Sequence, residues 1–69
     1  MVNSILIRLR EERGLTQAEL ADELGISPSA MSNYEQGIRV PRDEIKVRIA
    51  EFFGVSILDV FYASAKRVE

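Results

Sequence analysis

The sequence predicts an all-α domain of five short helices, and three observations carry that prediction. Each of the four glycines, Gly14, Gly25, Gly37 and Gly54, falls just past an amphipathic run, where a left-handed residue closes a helix. Helix-start formulas recur after them: Thr16 with Glu19 and Ser56 with Asp59 have capping-box spacing, and Ser27-Pro28 places a cap before a first-position proline. No stretch shows the strict alternation of a half-buried strand.

The first helix is predicted over residues 3–13. Asn3 caps it, Ile5, Leu6 and Leu9 form its apolar stripe, and Arg10 and Arg13 suit the negative end of its dipole. The second begins at Gln17 behind the Thr16/Glu19 box, with Leu15 and Leu20 spaced as a hydrophobic staple, and closes at Gly25. The third covers residues 28–36, capped by Ser27, with Ile26 able to staple to Met31. Residues 38–42 form an irregular link. A fourth helix over 42–53 follows, with Ile45, Ile49, Phe52 and Phe53 on its apolar stripe and Ala50 at its border. The fifth runs from Ile57 to about Ala63. Residues 1–63 are therefore expected to form one domain, and 64–69 a short tail that frays.

Composition narrows the function classes. Sixty-nine residues lie close to the lower size limit for an unassisted hydrophobic core, and 46% apolar residues suit a small helical one. Without cysteine there is neither a disulfide framework nor a thiolate metal site, and a reducing cytoplasm is the natural setting. Residues 2–7 are apolar, but Arg8 and Arg10 interrupt them far short of a signal peptide or membrane span. With no histidine, no cysteine, no phosphate-cradling glycine loop and no carboxylate pair spaced for an enclosed site, the chain is not expected to be an enzyme. No catalytic residue, cofactor or metal site is expected, and no small-molecule ligand is evident. The net charge of −2 counts against a general polyanion binder. Screening, however, confines each charge to roughly 8–10 Å, so a local positive surface is sufficient for a specific one. Glu11, Glu12, Glu19, Asp22 and Glu23 crowd one section, whereas residues 38–42 carry two arginines and no acid.

The second and third helices form a helix-turn-helix. Leu20, Ala21, Leu24, Ile26, Met31 and Tyr34 supply the inner faces. Pro28, Ser29, Ser32, Asn33 and Gln36 then point outward, small or polar and none charged, so that face can enter a major groove without bringing a carboxylate against phosphate. Arg10, the run LTQAELADELGIS at 15–27, MSNYEQG at 31–37, Arg39 with Pro41, and IAEFFGVSILDVF at 49–61 together resemble the lambda-repressor-like family of five-helix DNA-binding domains, the Cro/C1 or XRE type.

That resemblance implies a cytoplasmic, sequence-specific regulator of transcription, a repressor, that binds double-stranded DNA with the third helix in the major groove. Pro28, Ser29, Ser32 and Asn33 match the base-reading positions. Asn33 is the strongest, because a carboxamide bonds both N6 and N7 of adenine. Gln17, Ser27, Gln36, Arg39 and Arg42 match positions that hold phosphates. Arg10 and Glu35 match a pair that ties the first helix to the end of the third, with a free phosphate ligand as the other reading of Arg10. Two residues depart from the pattern: Pro28 stands where relatives carry a long polar reader, and Lys46 where the fourth helix usually carries an apolar residue.

The fifth helix is more apolar than one core-facing side requires. Ile57, Leu58, Phe61 and Tyr62 are expected to form a homodimer interface, which would place two reading helices about one DNA turn apart on a near-palindromic site. The alternatives are that Phe61 and Tyr62 fold back on the monomer, that the domain is cut from a longer chain, or that the helix serves a protein partner, as in an antitoxin-like or co-regulatory module.

Overall fold

The computed structural model describes residues 2–62. Five helices follow in order: α1 (Ser4–Glu12), α2 (Gln17–Leu24), α3 (Pro28–Gln36), α4 (Asp43–Phe53) and α5 (Ile57–Phe61). There is no strand among the described residues, so the all-α expectation holds. The predicted extension of the fifth helix to Ala63, and the tail at 64–69, lie outside the described residues.

Local chemistry accounts for the helix starts. Asn3 precedes α1 as its cap, its side chain accepting from Leu6 N, so the helix begins one residue later than predicted. Thr16 Oγ1 accepts from Glu19 N at 3.0 Å while Glu19 Oε1 accepts from Thr16 N at 2.9 Å, completing the box before α2. Ser27 Oγ caps α3 through Ala30 N, and Ser56 Oγ caps α5 through Asp59 N. Arg42 stands at the cap of α4 without a side-chain hydrogen bond there, because a guanidinium has no acceptor; its backbone is extended, with ψ 164°, so α4 starts at Asp43 instead of Arg42. Gly25 closes α2 at φ 72°, a left-handed conformation that strains any Cβ-bearing residue.

α2 and α3 pack most extensively against each other. Leu6, Leu20, Met31 and Ile49 are completely buried between α1, α2, α3 and α4, with Ala21, Leu24, Ile45, Phe53 and Val60 completing the core. Leu9, Leu15, Ile26, Tyr34 and Phe52 close its margin. Polar ties then set the helix ends. Arg13 donates to Phe52 O at 3.3 Å and lies 5.2 Å from both phenylalanine ring centres of α4. Arg48 donates to Leu24 O at 3.1 Å, holding the end of α2 against α4. Asn3 Nδ2 reaches Val60 O at 3.2 Å, joining the first helix to the last.

Candidate nucleic-acid interface

α3 is nine residues long, roughly 13 Å, a length suited to a major groove about 12 Å wide. Met31 and Glu35 bury one face of it. The opposite face carries exposed Pro28, Ser29 and Gln36, with Ser32 and Asn33 partly exposed, and no described segment covers it. The Asn33 side chain makes no hydrogen bond to the described residues; its backbone carbonyl receives Ile38 N at 3.0 Å and Arg39 N at 3.3 Å, which fixes the link that follows. Gln36 Nε2 donates to Ser32 Oγ at 2.7 Å, so these two predicted contacts form one polar unit along the ridge. Ser27 accepts in its cap and keeps its hydroxyl proton for another acceptor.

A buried ion pair sets the orientation of this helix. Glu35 is 2% exposed and accepts from Arg10 Nε at 2.6 Å and Arg10 Nη2 at 3.2 Å. Arg10 also donates to Leu15 O at 2.8 Å, which leaves it a structural strut in place of a free phosphate ligand. The hydrogen bond to Glu35 and, after it, the charge of that carboxylate hold the Arg10 guanidinium above its ordinary pKa, against the opposing effect of burial. Asn3 N donates to Glu35 O at 2.8 Å, so α1 grips the end of α3 through backbone as well as side chain. Gln17 joins the same centre: its Nε2 donates to Glu35 Oε1 at 2.9 Å. The sequence reading paired Arg10 with Glu35 but missed Gln17 as the third member, since eighteen positions of separation carry no periodic signal.

Flanking charges differ in strength. Arg39 and Arg42 are exposed and make no ion pair among the described residues. Asp43 and Glu44, in the first turn of α4, place carboxylates beside Arg42. Glu44 is partly offset by Arg48 at 3.0 Å, an exposed pair of small energetic weight. The residues expected to form a dimer interface divide. Phe61 packs on the core margin, while Leu58 is 53% exposed, Ile57 partly exposed, and Tyr62 41% exposed although its hydroxyl is held by Lys46. No helix among the described residues is long and apolar enough to cross a membrane, and none of their acidic groups cluster as a metal site.

The helix-turn-helix family model matches residues 6–60. The chain belongs to the helix-turn-helix family. Among its relatives, the HTH-type transcriptional regulator RamB of Mycobacterium tuberculosis is 43% identical over 63 residues, 91% of this chain but 13% of RamB. The cryptic phage CTXphi transcriptional repressor RstR of Vibrio cholerae is 32% identical over 69 residues, covering all of this chain and 62% of RstR. An HTH-type transcriptional regulator of Methanocaldococcus jannaschii is 40% identical over 52 residues, 75% of this chain and 79% of that protein. This helix-turn-helix chain thus spans less than two thirds of RamB and of RstR. No solved structure matches it at a significant level.

Proposed function

We propose that this helix-turn-helix protein is a cytoplasmic, sequence-specific regulator of transcription, a repressor, binding double-stranded DNA as a homodimer on a near-palindromic site. The observation that carries the reading is the carboxylate-free ridge of α3, short enough for the major groove and held in orientation by the Arg10–Glu35 pair. Ser29, Ser32 and Asn33 read base edges, Asn33 foremost because its carboxamide is unengaged, and Pro28 offers apolar contact to a thymine methyl. Arg39 and Arg42 flank the ridge as phosphate ligands, and the hydroxyl of Ser27 and the carboxamide of Gln36 complete the backbone contacts. The Gln17 side-chain donor is committed to Glu35, which leaves the backbone N–H at the start of α2 as that residue's donor to phosphate. Exposed Leu58, with Ile57, anchors the second copy.

Names of relatives favour the same class: RamB is a transcriptional regulator and RstR a transcriptional repressor. Repression then requires only occupancy of a promoter. Selection of bound sequences from a random DNA pool, with the mass of the protein measured by sedimentation, tests the proposal. An enriched near-palindrome bound by two chains is expected. No enrichment, together with a stable heterocomplex formed through α5, would replace it with the protein-binding module.

A further inference from the structure

Lys46 is 7% exposed, yet it has no carboxylate partner among the described residues. Its ammonium donates to the Tyr62 hydroxyl at 2.5 Å and lies 4.8 Å from the Tyr62 ring centre and 5.7 Å from that of Phe61. A phenol and two ring faces solvate a cation only partly, and two of the three N–H donors have no acceptor among the described residues. Lys46 is also in the wall of an open groove of about 430 Å³, between the start of α1, the α3–α4 link and the end of α5. That volume lies within the range of roughly 300–1,000 Å³ of small-molecule sites. Ile5, Val40, Pro41 and Phe61 give the groove its apolar wall, Arg39 brings a second cation, and no acidic residue lines it among the described residues.

We propose that this groove binds an amphipathic carboxylate, its head group on Lys46 and Arg39 and its apolar body along Val40, Pro41 and Phe61. The pairing follows from complementarity: a buried ammonium only partly solvated by a phenol and two rings gains most from an anion, and the apolar wall gains from a hydrocarbon body. The occupant also competes with DNA for Arg39, a consequence that rests on the DNA-binding reading, whereas occupancy of the groove does not.

Calorimetric titration of the full chain with decanoate, below its micellar concentration and without DNA, tests the site. Saturable one-to-one binding is expected, with none for decanol. Lys46→Met should weaken binding at least about tenfold, the loss of a charge-assisted contact. Val40 is 73% exposed, so Val40→Asp should leave the fold intact and abolish binding by replacing apolar wall with a carboxylate against the hydrocarbon body and beside Arg39. Equal binding of decanol, or unchanged binding by either variant, overturns the site. In a separate titration of the selected DNA, saturating decanoate should weaken affinity at least about threefold; unchanged affinity overturns the competition alone.

Discussion

Glu35→Ala removes one partner of the buried pair and strands the other. Three N–H groups lose their acceptor, two from Arg10 and one from Gln17. Breaking a buried ion pair in this way costs about 3–5 kcal/mol. The Arg10 side chain retains 14% exposure, and water reaches it once Glu35 is gone, so the lower end of that range applies here. At about 0.05–0.15 kcal/mol per residue, a chain of 69 residues has roughly 3–10 kcal/mol of total stability, so a loss of about 3 kcal/mol removes a third of it or more. Urea unfolding followed by far-ultraviolet circular dichroism reads this directly. With a slope of about 1 kcal/mol per molar, fitting for so small a domain, the midpoint should fall by about 3 M. The double variant Arg10→Met with Glu35→Leu leaves no unpaired charge and should recover to within about 1 kcal/mol of the parent, because an apolar pair avoids the desolvation cost and the partly exposed Gln17 amide, which again loses its acceptor, is reached by water. A Glu35→Ala loss below about 1 kcal/mol would refute the reasoning: the pair would then be behaving as an exposed one, without the strength to orient α3.

Asn33→Ala should weaken binding to the selected site by about 1–3 kcal/mol and binding to random DNA far less, read by competition titration; equal losses on both would remove its base-reading role. Arg42→Ala should weaken both DNAs alike and flatten the logarithmic salt dependence by about one unit, and an unchanged slope would place Arg42 away from phosphate. Leu58→Asp, at an exposed position, should leave thermal stability nearly unchanged while converting the dimer to a monomer in sedimentation; an unaltered mass would move the interface elsewhere. Thr16→Ala removes the hydroxyl that accepts from Glu19 N and should cost about 1 kcal/mol in urea unfolding, with no measurable loss counting against the cap.

Helix positions were legible in the sequence because caps and stops are local. The hydroxyl of Thr16, the ring of Pro28 and the missing Cβ of Gly25 act within a few residues of themselves, and α2 and α3 occur where those residues dictate. The apolar stripes likewise named Leu20, Leu24, Met31 and Ile49 as core, since helical period alone brings them to one side. The outward ridge of α3 followed as what the stripe left over.

Distances across the chain belong to the tertiary structure alone. Gln17 turns toward Glu35, Arg48 reaches Leu24 O, and Lys46 closes beneath Tyr62 only once α2, α3, α4 and α5 have packed, and no local pattern encodes which polar ends then meet. Packing also divided the apolar surplus of α5, drawing Phe61 onto the core margin and leaving Leu58 outside. Hydrophobic periodicity says how much surface must be covered; the geometry of the packed helices decides which residue covers it.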